Sequence, residues 1–162
     1  MSQVCGRTRN VVLKCFGFSA GVILAVAGIA KIWSAFGTSK VLGEYDPIVG
    51  AKFRLLMLAV GILETAIALV CFFRKRQALA LSLVAWISTN FMVYRLGLWW
   101  LDWRRPCGCL GSLTDAIHIS PQAADKIMKV LLAYLLVGSY SLLFCQWRQQ
   151  RRTPSVAAPR PH

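Results

Sequence analysis

The sequence predicts an all-α membrane protein, a four-helix transmembrane bundle with both termini in the cytoplasm. Three observations carry this prediction: the apolar composition, the length of the apolar runs and the uneven distribution of the cations. Hydrophobic residues make up 57% of the 162 residues. Charged residues make up 15%, against roughly 25% in an average soluble domain. The composition therefore favours a chain that lies mostly in lipid.

Four apolar runs account for this composition, and each reaches the roughly 20 residues that a helix needs to cross about 30 Å of hydrocarbon. They cover residues 11–36, 53–73, 78–100 and 121–147. Arg7 and Arg9 precede the first run, as cations precede the core of a secretory signal. The run is longer than the roughly 7–15 apolar residues of such a signal, and no clear cleavage site follows it. We therefore expect it to be retained as a helix.

These runs divide the chain into three parts. Residues 1–10 form a short cytoplasmic N-terminal segment, and residues 11–147 form the four-helix membrane domain. Residues 148–162 combine Pro, Arg and small residues without apolar periodicity. Such a composition cannot bury enough apolar surface to fold, so we expect a disordered, basic cytoplasmic tail.

The net charge of +13 is explained by membrane topology rather than by nucleic-acid binding. Nine cations and no acid lie before the first run, between the second and third, and after the fourth, and Lys14 at the start of the first run brings this set to ten. The two other connections, with the adjoining helix ends, hold seven cations and five acids. Because Lys and Arg accumulate in cytoplasmic loops, this asymmetry places both termini inside and the connection between helices three and four outside.

Three ionisable residues lie within the predicted helices, where charge is costly and usually faces the bundle interior or a polar cavity. Lys31 and Arg95 are near the outer ends of helices one and three, so both could instead extend to the headgroups. Glu64 lies in the middle of helix two and needs a partner or a proton. We expect a buried pair or triad of Glu64 with Lys31 or Arg95, mainly structural in role.

Small and polar residues in the same helices indicate where helices pack. The small residues expected at close helix contacts are Gly17, Gly21, Ala25, Gly28 and Gly61. The polar side chains of helix three that we expect to face the bundle are Ser82, Ser88, Thr89 and Asn90.

The outer connection carries the motif with the most specific chemistry, the stretch RRPCGCLGS at residues 104–112. Pro106 opposes helical continuation before it. A disulfide requires Cα atoms about 4.4–6.8 Å apart, which Cys107 and Cys109 reach only if the chain folds tightly between them. Gly108 permits such a fold, and Gly111 relaxes the exit. The resulting ring is small and strained, and strained exposed disulfides are the labile, oxidising kind.

Three interpretations of the cysteine pair stay open at this point. Arg104 and Arg105 favour the thiolate form by electrostatic attraction, which suits thiol–disulfide exchange. Two thiolates also suit a soft metal such as Cu(I), although no third Cys or Met stands beside them. The pair could also be a passive part of the loop or bridge to another chain. His118 follows nine residues after Cys109 and is left out of the site, because a lone loop histidine is usually a surface residue.

These residues resemble a known family, the MauE branch of the DoxX-like small membrane proteins, named after the methylamine utilisation protein MauE. The resemblance covers about residues 11–147. It rests on three stretches: GIAK at residues 28–31, GILE at residues 61–64 and PCGCLG at residues 106–111. The family often has an aromatic residue where Leu110 stands.

The resemblance implies a bacterial inner-membrane protein that works with a thioredoxin-like partner. Its implied role is maturation of the disulfide-rich β-subunit of periplasmic methylamine dehydrogenase, or of a related client. Cys107 and Cys109 would then be the exchanging pair, and Lys31, Glu64 and Arg95 would shape the bundle beneath them. The partners expected are therefore the lipid bilayer and an extracytoplasmic protein, not nucleic acid, and no cofactor is evident. The alternatives are a non-catalytic membrane assembly or chaperone subunit, and a copper-handling protein.

Overall fold

The structure is a computed structural model that describes residues 2–37, 43, 45–46, 48–73, 77–101 and 121–151. Within these residues it contains four helices, α1 (Ser2–Ala35), α2 (Phe53–Phe72), α3 (Gln77–Trp100) and α4 (Pro121–Gln150). Each includes a stretch that is long and apolar enough to cross a membrane. The prediction of an all-helical protein with four membrane-spanning helices is confirmed.

The helix bounds agree with the apolar runs except at the two outer ends of the chain. Helix α1 begins at Ser2, nine residues before its apolar run, and α4 continues to Gln150, three residues past its run. A formed helix extends readily, since each further residue adds one backbone hydrogen bond and no new nucleus. The apolar pattern therefore marks the membrane span, not the full helix. At its other end α4 begins at Pro121, where its apolar run begins, and Pro is a residue that favours the first helical position.

The helices alternate in direction, and α1 packs closely on α2 while α3 packs closely on α4. Contacts between α1 and α2 run from Gly21 with Cys71 to Ala35 with Arg54, so these helices are antiparallel. Contacts between α3 and α4 follow the same rule. The ends of α1 and α3 and the starts of α2 and α4 consequently share one end of the bundle. We call it the loop end, because residues 38–52 and 102–120 leave the helices there.

The apolar core occupies the half of the bundle away from the loop end. All four helices contribute to it: Leu13, Phe16, Ala20, Leu24, Ile67, Ala68, Leu81, Val84, Ile87 and Leu135. Towards the loop end, buried polar and charged side chains take over, among them Lys31, Ser34 and Asp46. A smaller apolar cluster of Ala35 and Met57 also lies there. The buried polar and charged side chains nevertheless distinguish this half, which we call the polar half and which is nearer the cysteine segment in the chain.

The closest helix approach lies at Gly28 and Gly61, not at the start of the predicted glycine series. A methyl group on Gly28 would lie 2.8 Å from the Gly61 carbonyl oxygen and 2.6 Å from Thr65 Oγ1. A methyl group on Gly17 would meet nothing within 4 Å. The expectation that Gly17 serves close packing is therefore wrong. Its side of α1 lies beside open space, since the helix crossing is further along.

Contrary to the expectation from the sequence, not all of the polar residues of α3 face the bundle. Ser88 is fully buried, and Thr89 lies between the helices with its hydroxyl 3.0 Å from Tyr140 Oη on α4. Ser82 and Asn90 are exposed on the outer surface and bond to carbonyls of their own helix. The prediction is wrong for these two residues. They lie on the opposite side of α3, which a polar cluster in the sequence cannot reveal.

Candidate functional site

The predicted cysteine site lies outside the described residues. Cys107, Cys109 and the loop-shaping residues Pro106, Gly108 and Gly111 all belong to residues 102–120. The structure describes both helix ends between which this segment runs, Trp100 and Pro121. The described cysteines Cys15, Cys71 and Cys145 are free thiols. The geometry of the candidate site is accordingly that of the polar half of the bundle beneath the segment.

A buried ion pair joins the first two helices. Lys31 Nζ lies 2.8 Å from both carboxylate oxygens of Glu64. The two residues are only 5% and 1% exposed. The structure thus brings together two of the three charged residues predicted to shape the bundle, and α1 and α2 position them. In a low-dielectric interior such a pair offsets the desolvation of both charges only if its geometry is good, and the bifurcated contact meets that condition.

The position of the ion pair follows from two glycines, one in each helix, that precede the charged residues. Gly28 comes three residues before Lys31, and Gly61 comes three residues before Glu64. Side chains on a helix lean towards its N-terminus. In antiparallel helices that cross at Gly28 and Gly61, both charged side chains therefore lean back towards the crossing. The missing side chains at the glycines let the backbones approach closely enough for the salt bridge to form.

Helix α3 covers the ion pair on its third side. The Lys31 ammonium lies 5.3 Å from the centre of the Phe91 ring, within reach of the negative ring face. One turn earlier on α3, Ser88 is fully buried, and its hydroxyl has no hydrogen-bond partner among the described groups. The arrangement neutralises charge and ties three helices together. Among the described residues no three His, Cys, Asp or Glu side chains come together as a metal site.

Arg95 is not part of the Lys31–Glu64 pair. Its Nη1 lies 2.8 Å from Asp125 Oδ1 on α4, and Lys129 Nζ lies 2.7 Å from Asp125 Oδ2. The Arg95 and Asp125 side chains are 23% and 36% exposed, so this network lies at the loop end rather than inside the bundle. The expected triad with Arg95 is therefore absent, because α3 presents this side chain towards the start of α4. Its effect is to join α3 to α4 directly beside residues 102–120.

Asp46 is a buried acidic residue whose role the sequence interpretation missed. It is 1% exposed, and its Oδ1 accepts hydrogen bonds from the amides of Ile48 at 2.8 Å and Val49 at 2.9 Å. The Tyr94 hydroxyl donates to Oδ2 from α3. Asp favours turns because its side chain bonds the backbone two residues on. The stretch from Asp46 to Gly50 carries that signal, but its link to α3 is visible only in the structure.

A second contact closes the carbonyl end of α1. Arg54, in the first turn of α2, donates from Nε to the Ala35 carbonyl at 2.8 Å and from Nη2 to the Gly37 carbonyl at 3.2 Å. A cation at a helix C-terminus also complements the helix dipole. With Asp46 and Arg95, Arg54 completes a set of three polar anchors that connect all four helices at the loop end.

The family described as "Methylamine utilisation protein MauE" matches residues 9–146, well over half of the chain. The chain belongs to the MauE family. No curated protein and no solved structure gives a match. As a MauE-family chain with four membrane-spanning helices, it is a multi-pass membrane protein of a family linked by its description to methylamine utilisation.

The MauE match contains the three stretches on which the resemblance rests. Two of them, GIAK and GILE, have a shared geometry in this MauE-family chain. Each places a glycine at the α1–α2 crossing and a charged residue one turn later, and the two charges pair across it. The third stretch, PCGCLG, contains the cysteine pair and lies within residues 102–120. Two of the three motifs therefore build the bundle, and the third lies outside the described residues.

Proposed function

We propose that this MauE-family chain is a membrane thiol–disulfide redox and maturation factor for extracytoplasmic proteins. Cys107 and Cys109 are the exchanging pair, and the protein lies in the bacterial inner membrane with both termini in the cytoplasm. The observation that carries the proposal is the position of the CGC motif. Of the two connections at the loop end, only the one between α3 and α4 contains cysteines. All other cysteines lie in the N-terminal segment or within the helices.

The cation distribution supports an oxidising compartment for this pair. Ten cations and no acid belong to the chain ends and the α2–α3 connection, which lie opposite the loop end in the alternating bundle. Under the positive-inside rule that opposite end is cytoplasmic. The segment between α3 and α4 then begins and ends on the extracytoplasmic side, where disulfides form and persist.

The chemistry of the pair is a reversible two-electron exchange. The thiolate of one cysteine attacks a disulfide of the partner protein, and one partner sulfur leaves as a thiolate that takes up a proton. The second cysteine then attacks the mixed disulfide, which releases the partner as a dithiol and leaves Cys107 and Cys109 joined. Run in reverse, the same steps oxidise a dithiol client. A disulfide that spans one residue closes almost no loop, so a stabilising role does not explain the pair.

The bundle serves this exchange as a rigid base. The Lys31–Glu64 pair holds α1 on α2, and the Arg95–Asp125 bond holds α3 on α4 at the two ends of the cysteine segment. The Arg95–Asp125 bond resists the splaying of α3 and α4, the helices from which the segment leaves, and the Lys31–Glu64 pair holds the other two helices together. In this proposal these residues position the segment and take no part in exchange.

The partner in this proposal is a thioredoxin-like extracytoplasmic protein, and the client is a disulfide-rich protein. The family description names methylamine utilisation, and in this proposal the client is the β-subunit of methylamine dehydrogenase or a related protein. A strained, exposed disulfide tends to be oxidising, which suits delivery of disulfides to such a client.

The test is to trap the mixed disulfide. Removal of the cysteine that resolves it leaves the intermediate with no exit, so one of Cys107→Ser and Cys109→Ser accumulates a covalent adduct with an extracytoplasmic protein. The adduct is seen on non-reducing gels and disappears with reductant. Both variants lose client maturation while membrane abundance stays near that of the wild type, and Cys145→Ser is the matched control that should change neither.

Two other outcomes would replace the proposal. Full client maturation with both cysteines changed to serine would reject the redox role and favour a non-catalytic assembly subunit. Loss of maturation together with loss of bound copper, without any adduct, would favour the soft-metal interpretation.

A further inference from the structure

The outward face of α3 carries a regular pattern. The core residues Leu81, Val84 and Ser88 lie on one side of this helix. On the opposite side, large exposed side chains recur every seven residues: Leu79, Trp86, Val93 and Trp100. Seven residues is the heptad repeat of coiled coils, in which a side chain at every seventh position keeps facing the partner helix. This face is apolar enough to contact lipid, and its repeat also suits contact with a second helix.

Asn90 interrupts this face near the middle of the membrane. It is the fourteenth of the 24 residues of α3, so at 1.5 Å per residue its Cα lies only about 2 Å from the helix midpoint. Its side chain is exposed, between Trp86 and Val93 along the helix. The midpoint is the depth at which lipid offers no hydrogen-bonding partner.

The amide of Asn90 is only partly satisfied within the chain. Nδ2 donates one bond to the Trp86 carbonyl at 2.8 Å. An amide has a second N–H and a carbonyl oxygen with two lone pairs, and among the described residues no group bonds to these. Ser82 on the same face differs, because its single hydroxyl proton is used by the Ala78 carbonyl at 3.0 Å. Asn90 is therefore the polar side chain of this face that still lacks partners.

We propose that α3 forms a homodimer interface in the membrane, with Asn90 of one copy hydrogen-bonded to Asn90 of a second copy. Two copies inserted in the same direction and related by a two-fold axis along the membrane normal place the same residue of α3 at the same depth. An amide is both donor and acceptor, so two Asn side chains exchange a pair of hydrogen bonds. A partner without a polar group at this depth would leave the amide unsatisfied, which is why a second copy fits.

The repeat and the amide support each other. The positions every seven residues supply close packing along the whole helix, and the amide at mid-depth fixes the register, as a single Asn does in water-soluble coiled coils. Such an interface also brings the two copies of Trp100 to the same axis. Residues 102–120 begin directly after it, so the cysteine segments of both copies would leave the membrane beside each other.

The experiment measures association of the full-length protein in liposomes. Donor- and acceptor-labelled copies are reconstituted over a range of protein-to-lipid ratios, and energy transfer gives the ratio at half-association. For Asn90→Leu we expect this midpoint to rise about 5- to 30-fold, the effect of losing a membrane hydrogen bond worth roughly 1–2 kcal/mol in model peptides. Asn90→Gln retains the amide and should stay within about three-fold of the wild type, half a logarithmic unit or some 0.7 kcal/mol.

Ser141→Leu is the matched control, since Ser141 is also an exposed polar residue in a membrane span but belongs to α4. Its midpoint should equal that of the wild type. A wild-type protein that stays monomeric at every ratio would overturn the proposal. So would a midpoint that moves equally in Asn90→Leu and Ser141→Leu, or one that Asn90→Leu does not move at all.

Discussion

Single residues decide how this bundle holds charge in a membrane. Lys31 and Glu64 are almost fully buried and bonded at 2.8 Å, whereas Arg95 and Asp125 form an equally short bond at a partly exposed site. Distance alone makes the two bridges look equivalent. Burial separates them, because removal of one partner leaves the other charge unpaired in low dielectric only in the first case.

The first prediction concerns this difference. Lys31→Met and Glu64→Gln should each lower the free energy of unfolding by roughly 3 kcal/mol, since each leaves an unpaired polar group inside the bundle. The double variant should lose less than the sum of the two single losses, because no uncompensated charge remains. Reversible unfolding in mixed micelles measures all three.

Arg95→Gln is the control for this prediction, and its loss should be below about 1 kcal/mol because solvent screens the Arg95–Asp125 bridge. Strict additivity in the Lys31 and Glu64 double variant would contradict the coupling.

The second prediction concerns the turn around Asp46. Asp46→Ala removes the acceptor of the Ile48 and Val49 amides, so their hydrogen exchange should accelerate by about ten-fold, the factor expected for hydrogen bonds to a charged group. Tyr94→Phe removes only the bond to the other carboxylate oxygen and should leave these two amides within a factor of about two (under 0.5 kcal/mol), as other local changes do. Exchange of the peptide that covers residues 48–52, followed by mass spectrometry, measures both. Equal acceleration in the two variants would mean that Tyr94, not Asp46, holds the turn.

At the scale of elements, the bundle consists of two close helix pairs, α1 with α2 and α3 with α4, that hold together differently. The first pair meets backbone to backbone at Gly28 and Gly61 with an ion pair beside the crossing. The second is joined by side chains, Thr89 with Tyr140 and Arg95 with Asp125. A backbone contact cannot yield to an added atom as a side chain can, so the first pair is the one sensitive to small changes.

The third prediction follows from that sensitivity. Gly28→Ala should lower the free energy of unfolding by about 1–3 kcal/mol, as overpacking does, because the new methyl group would lie 2.8 Å from the Gly61 carbonyl oxygen. Gly17→Ala is the same substitution on the same helix with no atom within 4 Å. This variant should not lose stability, because Ala has a higher helix propensity than Gly by about 1 kcal/mol and the new methyl group meets no neighbour. Equal losses for both variants would show that the close approach at Gly28 is not what makes the substitution destabilising.

At the scale of the whole molecule, the bundle has two unlike ends. The end with the chain termini and the α2–α3 connection holds the apolar core and the unopposed cations. The loop end holds the polar anchors Asp46, Arg54 and Arg95 and both ends of the cysteine segment. In four helices of alternating direction, the first and third connections lie at one end of the bundle, and the second connection lies at the other end with both termini. The orientation of the whole bundle in the membrane therefore decides which side the cysteine pair faces.

The fourth prediction tests that orientation. A membrane-impermeant thiol reagent, applied to intact cells after mild reduction, should label Cys107 or Cys109 and spare Cys5, because the positive-inside rule predicts that the end with the ten cations is cytoplasmic. Peptide mapping by mass spectrometry identifies the labelled residue, and permeabilised cells, in which Cys5 also reacts, provide the control. Labelling of Cys5 alone in intact cells would invert the proposed topology and remove the oxidising compartment from the proposed function.

The sequence by itself determined the number of membrane helices, their spans and the family. Four apolar runs of about 20 residues or more can satisfy their backbones in lipid only as helices, whatever surrounds them. The positions of Pro121 and Trp100 were likewise evident, since proline chemistry and the end of an apolar run are local signals. The MauE family was indicated by three short stretches, GIAK, GILE and PCGCLG, and the match over residues 9–146 confirms it. The assignment of exchange to Cys107 and Cys109 stays a prediction.

Only the tertiary structure decided which residues meet. Lys31 and Arg95 were both candidates for Glu64 in the sequence, and the antiparallel register of α1 on α2 selected Lys31. Rotation of α3 about its own axis turned Ser88 inward and Asn90 outward, although both belong to one polar cluster. Apolar patterns in these helices are nearly uniform around the axis, because lipid accepts the same side chains as the core does. Register and rotation are therefore set by the few glycines and charges that match between helices, and such matches exist only once the helices are packed.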